Sequence, residues 1–109
     1  MSGIATSLNN LGNIYKNQGD FKKALEYYLK SLAIREQEGG KDQDGLAAIL
    51  SNIGTFYQSQ NEIEKGLIYL NRSLDIRKEI KDMEGVAACM SNIGMIYRIQ
   101  GKIEEAEKI

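Results

Sequence analysis

The chain contains no histidine, no proline and no tryptophan, and it has a single cysteine, Cys89. Without histidine, a His general base, a Ser–His pair and a His-ligated zinc are all excluded. One cysteine builds neither an intrachain disulfide framework nor a thiolate zinc site, so a reducing compartment is allowed. Without proline, no helix is stopped by the loss of a backbone donor, and punctuation falls to glycine and asparagine. An excess of one charge is also lacking, because 14 basic and 15 acidic residues leave a net charge of −1. That balance exerts no bulk pull toward nucleic acid or an anionic membrane. No apolar run approaches the ~20 residues of a membrane span. The segment from Met1 to Leu8 is too short and polar for a secretory signal. The expected location is cytoplasmic.

What the chain does have is repetition. Asn10-Leu11-Gly12 recurs as Asn52-Ile53-Gly54 and Asn92-Ile93-Gly94, with the glycines 42 and then 40 residues apart. Gly3-Ile4-Ala5 recurs as Gly45-Leu46-Ala47 and Gly85-Val86-Ala87, and Tyr15 as Tyr57 and Tyr97. Self-similarity at this period marks stacked supersecondary units, none of which can bury its own apolar face alone. Such a solenoid works through a surface rather than a pocket.

The apolar spacing within each unit is helical. Leu8, Leu11, Gly12 and Tyr15 fall at i, i+3, i+4 and i+7, and the stripe repeats at Leu50, Ile53, Gly54, Tyr57 and at Met90, Ile93, Gly94, Tyr97. These stripes predict a helix A in each repeat. A second stripe predicts helix B: Phe21, Ala24, Leu25, Tyr28, Leu32, then Ile63, Gly66, Leu67, Leu70, Leu74, with Ile103 and Ala106 beginning a third. Gly19, Asn61 and Gly101 suit the left-handed position just past helix A, and Asp20 suits the cap of the next helix. Asp42 and Asp82 are the expected caps of the following helices A, with Asp44 and Glu84 in their first turns. Gly39-Gly40 accounts for the two extra residues of the first period. The reading is one domain over 1–109, with repeat 1 at about 3–41, repeat 2 at about 42–81 and a partial repeat 3 at about 82–109.

Leu8-x-x-Leu11-Gly12-x-x-Tyr15 followed by Ala24-x-x-x-Tyr28 resembles the tetratricopeptide repeat, whose pattern is Trp-x-x-Leu-Gly-x-x-Tyr, then Ala-x-x-x-Phe, then Pro. The match recurs along nearly the whole chain. It departs at the opening Trp, which is Leu8, Leu50 and Met90, at Gly66 in place of the small Ala, and at the missing Pro. The period exceeds the family's ~34 residues. It is similar to the long-repeat branch seen in kinesin light chains, Pins/LGN polarity adaptors and bacterial sensor kinases and regulators. The resemblance implies an all-α fold, a right-handed α-α superhelix of antiparallel helix pairs. About six helices are expected, the last pair incomplete. It also implies that the helices A line a concave groove for a peptide and that the helices B face outward.

The groove residues that follow are Asn9, Asn10, Asn13, Lys16 and Asn17 in the first repeat, and Ser51, Asn52, Thr55, Gln58 and Ser59 in the second. Ser91, Asn92, Met95, Arg98 and Ile99 complete them in the third. The recurring Asn10, Asn52 and Asn92 lead this set. An amide is both donor and acceptor, so a row of them can pair with a peptide backbone whatever its side chains. The competing role is a bond from each amide to the preceding repeat that fixes the stacking angle, and one amide can serve both. Met95 and Ile99 add an apolar stretch to a polar surface that is weakly basic at Lys16 and Arg98. Thr6, Ala48 and Ala88 stand where chaperone-binding members carry Lys and Arg, which argues against heat-shock chaperone tails as partners.

Tyr15, Tyr57 and Tyr97 read as core spacers, Gly12, Gly54 and Gly94 as sites of close helix approach, and Cys89 as a small packing residue. Glu104, Glu105 and Glu107 read as a solvated face, and Asp42-x-Asp44-Gly45 lacks the ligand pattern of a calcium loop. No catalytic residue, metal ligand or cofactor is expected. The expected function is non-enzymatic protein–protein recognition through the helix-A groove. Its rivals are a regulatory sensor segment of a larger bacterial signalling protein, a kinase or transcription regulator, and a self-assembling structural repeat. An uncovered third helix A would expose parts of Met90, Ile93 and Tyr97. A piece excised from a longer protein is therefore expected to form homo-oligomers through its terminal repeats, end to end or by exchanging terminal helices.

Overall fold

The computed structural model describes residues 2–39 and 41–108, with the backbone alone at 2 and 102–108. Five helices follow one another: α1 (Ser2–Gln18), α2 (Phe21–Gln37), α3 (Gln43–Ser59), α4 (Ile63–Glu79) and α5 (Met83–Lys108). α1 pairs with α2 and α3 with α4. α3 also packs on α2, and α5 packs on α4 and touches α3. The helices therefore form two stacked layers. The thinnest extent, 19 Å, is that of two helices of about 10 Å each. No helix among the described residues is long and apolar enough to cross a membrane.

The turns obey one rule. After α1, Gly19 takes φ 85°, its N–H bonds to Lys16 O at 3.0 Å, and Asp20 N–H reaches back to Tyr15 O at 2.9 Å. This is a Schellman end, in which a left-handed residue folds the last carbonyls onto the departing chain. Asn61 (φ 63°) repeats it after α3, as expected, and Lys81 (φ 59°) repeats it after α4. Lysine gains nothing from that conformation, which costs an ordinary residue roughly 1–2 kcal/mol, so the packing around the turn must impose it. Asp20 then caps α2 through Lys23 N–H at 3.2 Å, Asp42 caps α3 through Gly45 N–H at 2.9 Å, and Asp82 caps α5 through Gly85 N–H at 3.1 Å.

The core lies across α2, α3 and α4. Ala24, Tyr28, Leu32, Ile49, Leu50, Ile53, Phe56 and Tyr57 form one buried cluster. α3 is apolar on two sides because it is held between α2 and α4. The stripe that includes Ile53 faces one neighbour, and Ile49 and Phe56 widen it toward the other. α1 has a helix on one side only, so Leu11 is 37% exposed where its equivalent Ile53 is 0%. Tyr15 stacks on Tyr27 with centroids 5.4 Å apart, and Lys23 lies over the Tyr15 ring. Tyr57, Tyr69 and Lys65 repeat the arrangement, with the rings 5.7 Å apart.

One element departs from the sequence reading. α5 runs unbroken through Gly101, so five helices are present where about six were expected. A break at 101 would have to be offset by packing of the segment beyond it, and that segment carries only Ile103, Ala106 and Ile109 as apolar residues. The side chains of Ile103 and Ala106 in the expected third helix B, and of Glu104, Glu105 and Glu107, lie outside the described residues, as do Gly40 and Ile109. Because α5 does not turn back, no helix crosses Gly94 as α2 crosses Gly12 and α4 crosses Gly54. The expected close approach at Gly94 is absent: apart from the adjoining stretch of α5 itself, no described atom lies within 4 Å of where a Cβ would stand. For the same reason Tyr97 is 56% exposed and is not a core spacer. Met90 and Tyr97 are exposed and Ile93 is half-buried, in line with the exposure expected of an uncovered third helix A.

The two crossings that do form are tight. A Cβ at Gly12 would lie 2.6 Å from Tyr28 Cδ1, and one at Gly54 would lie 2.7 Å from Leu70 Cγ and 3.0 Å from the Gly66 carbonyl oxygen. Glycine in a helix costs ~1 kcal/mol against alanine, and here it is offset by close packing. Gly54→Ala is expected to destabilise by about 1–3 kcal/mol in urea titration, because backbone as well as side chain must move. Gly94→Ala is expected to stabilise by up to about 1 kcal/mol. Equal effects at the two sites would contradict this assignment.

Candidate functional site

α1, α3 and α5 share one layer of the stack, and their facing side chains are stitched together. Asn52 Nδ2 donates to Asn9 Oδ1 at 2.8 Å, joining α3 to α1. Ser51 Oγ lies 3.7 Å from Cys89 Sγ, joining α3 to α5. The expected surface residues divide accordingly. Asn13 accepts from the buried Tyr28 hydroxyl and is committed to α2. Ser51 shares a 2.7 Å hydrogen bond with Ser73 of α4. Thr55 and Ser59 return hydroxyl bonds to their own helix, at Asn52 O and Phe56 O. Asn10, Lys16, Asn17, Gln58, Ser91, Asn92, Met95, Arg98 and Ile99 keep their polar or apolar ends free of hydrogen bonds to described residues. Of these, Lys16, Gln58 and Asn92 are half-buried and the rest are exposed.

The asparagine row therefore plays mixed roles. Asn52 bonds to the preceding repeat, which is the stacking role, and uses one edge of its amide to do so. Its Oδ1 makes no hydrogen bond to a described residue. Asn10 is exposed and Asn92 half-buried, each with its amide unspent.

Behind this face sits a joint that sequence reasoning missed. Arg35, near the end of α2, is only 7% exposed. Its Nη1 pairs with Asp42 Oδ2 and its Nη2 donates to Thr6 Oγ1 at 3.0 Å. Its Nε has no partner among the described residues. Arg77 repeats the placement at the end of α4, pairing with Asp82 and reaching Asp44 at 3.4 Å. Each guanidinium lies over the start of the next helix A, whose positive dipole end disfavours a cation. The carboxylate of Asp42 or Asp82 sits between and offsets that, capping the helix with one oxygen and binding arginine with the other. Room for the guanidinium comes from Gly45 and Gly85, where a Cβ would collide with Arg35 and Arg77. This explains the recurring Gly-x-Ala. Close by, Ser31 Oγ donates to Ala5 O at 2.7 Å and Ser73 Oγ to Ala47 O at 2.8 Å, tying each helix B to its helix A inside the core. The signal was present in Ser31-Leu32-x-Ile34-Arg35 and Ser73-Leu74-x-Ile76-Arg77.

The joint sets the ionisation of its acids. The Gly45 N–H bond, aided by Arg35, holds the Asp42 carboxyl below the usual range against the opposing effect of burial. The Gly85 N–H bond and Arg77 do the same for Asp82. Burial pushes the Tyr28 and Tyr57 hydroxyls up.

A cleft of about 380 Å³ opens on the α3–α5 side of this face, lined by Ser51, Arg77, Asp82, Glu84, Cys89 and Asn92 among others. Its walls offer hydrogen-bond donors and acceptors, and the one arginine is already paired with Asp82.

The sequence matches the family described as tetratricopeptide repeat over residues 3–79 and again over 45–109. No curated protein matches it. Among solved structures, the crystal structure of BtubC (BKLC) from P. vanneervenii is similar, with a TM-score of 0.67 at 22% identity over 95% of this chain and 45% of that one. At that identity the likeness is one of fold. The chain spans less than half the length of that structure.

The joint predicts an acid limb. A carboxyl whose folded pKa is depressed stabilises the fold above its unfolded value, and the contribution is lost as pH falls through the folded value. Stability is thus expected to be level from about pH 7 to pH 5 and to decline below about pH 4. The double variant Asp42→Asn/Asp82→Asn keeps capping acceptors but loses both charges. It is expected to be less stable at neutral pH and to show a flatter acid limb in thermal melts. An acid limb as steep as that of the unmodified protein would place the pH dependence elsewhere.

Proposed function

The chain belongs to the tetratricopeptide repeat family, and we propose that it binds a peptide segment of a protein partner along the face made by α1, α3 and α5. Repeats of this family generally mediate protein–protein interaction. The observation that supports this face is the asparagine row. Asn10 and Asn92 present whole amides, and Asn52 keeps its carbonyl oxygen after binding Asn9. Amides spaced along successive helices can pair with the N–H and C=O groups of an extended chain without regard to its side chains. Desolvated by a bound peptide, each such bond becomes costly to lose. Met95 and Ile99 then give the α5 end an apolar stretch for side-chain contact. The role is recognition rather than catalysis.

Peptides from a random displayed library, selected on the immobilised protein, test this. Asn10→Ala is expected to weaken the selected peptides by about 1–3 kcal/mol with the melting temperature unchanged. Asn52→Ala is expected to lower both affinity and melting temperature, because its amide serves both roles. Failure of any peptide to enrich would overturn the reading. So would selected peptides that ignore both substitutions.

A further inference from the structure

The two junctions between repeats are built from equivalent residues, so the first serves as an internal comparison for the second. In the first, the α1–α2–α3 junction, Asn9 reaches across to Asn52 and Ile49 fills the space beneath, only 1% exposed. In the second, the α3–α4–α5 junction, Ser51 stands in place of Asn9 and Cys89 in place of Ile49. Ala48 stands in place of Thr6, so Arg77 has no hydroxyl partner like that of Arg35 and reaches toward Asp44 instead. Ser51 is too short to meet the amide opposite and turns inward to Ser73. Asn92, the equivalent of Asn52, is left half-buried with no hydrogen bond to a described residue. The cleft of about 380 Å³ lies where the shortened side chains withdraw.

We propose that this cleft is a specificity pocket for a primary carboxamide, a glutamine or asparagine side chain of the bound peptide, which takes the place that Asn9 occupies in the first junction. The inference rests on the peptide-binding reading above. The amide of Asn92 donates to the incoming carbonyl as Asn52 donates to Asn9, and the incoming amino group finds acceptors at the pocket wall. A carboxylate of the same shape is disfavoured, because Asp82, Glu84 and nearby Asp44 outnumber the single cation Arg77. A lysine finds its counter-charges already engaged by Arg77 except Glu84, above a floor of Cys89 and Ser51 that does not compensate a desolvated cation. An apolar side chain leaves the amide of Asn92 buried and unpaired.

The test uses the library-selected peptides and two variants that rebuild the first junction in the second, Ser51→Asn and Ser51→Asn/Cys89→Ile. Both are expected to stay folded, with melting temperatures at or above that of the unmodified protein. The single variant keeps the test available should isoleucine overfill the site. Peptides selected on the unmodified protein are expected to share Gln or Asn at one fixed position. Changing that residue to Leu or Glu should weaken binding about tenfold or more. On the variants the preference should vanish, with the Gln and Leu peptides binding alike through Asn10 and Asn52. Enriched peptides without a carboxamide preference would overturn the pocket and leave the binding face standing. A preference that survives in both folded variants, or one for Lys or Glu that they remove, would overturn it likewise. If no peptide enriches, the binding face itself is wrong and the pocket falls with it.

Discussion

An arginine at each repeat junction, buried at Arg35 and largely covered at Arg77, is the constraint on which the arrangement depends. Short-range preferences account for the helices, and Schellman turns for their pairing. Neither specifies how one pair meets the next. Arg35 and Arg77 do so by reaching from the end of one helix B to the aspartate that caps the next helix A. A guanidinium held at a helix start is unfavourable unless a carboxylate stands between. The glycine within the first turn must then be small for the guanidinium to fit. Arginine, aspartate and glycine thus form one unit, and loss of any member leaves the others with an unpaired charge or a collision. The exposed Arg72–Glu36 pair, at 3.0 Å, bridges the helix-B layer but is solvated on both sides and adds little.

That joint also determines the shape of the candidate face. Because it holds successive helices A at a set spacing, small changes in side-chain length decide whether a junction is closed or open. Asn9 and Ile49 close the first; Ser51 and Cys89 open the second. A repeat protein can in this way keep its scaffold constant and vary its seams, one closed by stacking contacts and the next left open.

Much of this was legible in the residues and some was not. The i, i+3, i+4, i+7 stripes located α1 to α4, and Asn61 as a left-handed residue followed from its alignment with Gly19. Asp42 and Asp82 as caps were legible for the same reason. Gly101 was misread because a glycine permits a turn but does not compel one; packing beyond it has to favour the bend. Gly94 and Tyr97 failed with it, since both depended on a helix folding back. Arg35 and Arg77 passed unnoticed because a charged residue near a helix end reads as solvated, and only the coincidence of Arg, Asp and Gly across the turn marks it as enclosed. Of the candidate face, the recurrence of Asn10, Asn52 and Asn92 on the helices A was readable. Which amides were already spent was not: the Asn52–Asn9 bond joins side chains 43 residues apart.

The claim that the arginine joint holds the stack is tested most directly by hydrogen exchange of native backbone amides in Arg77→Met, which keeps the unbranched apolar stem of the side chain but removes the guanidinium and its charge. α5 meets the rest of the protein mainly at this junction. The account predicts that the Met83–Gln100 amides of α5 lose protection about tenfold or more relative to those of α1 to α3. Protection in α5 equal to that of the unmodified protein, or a uniform loss across all five helices, would contradict it.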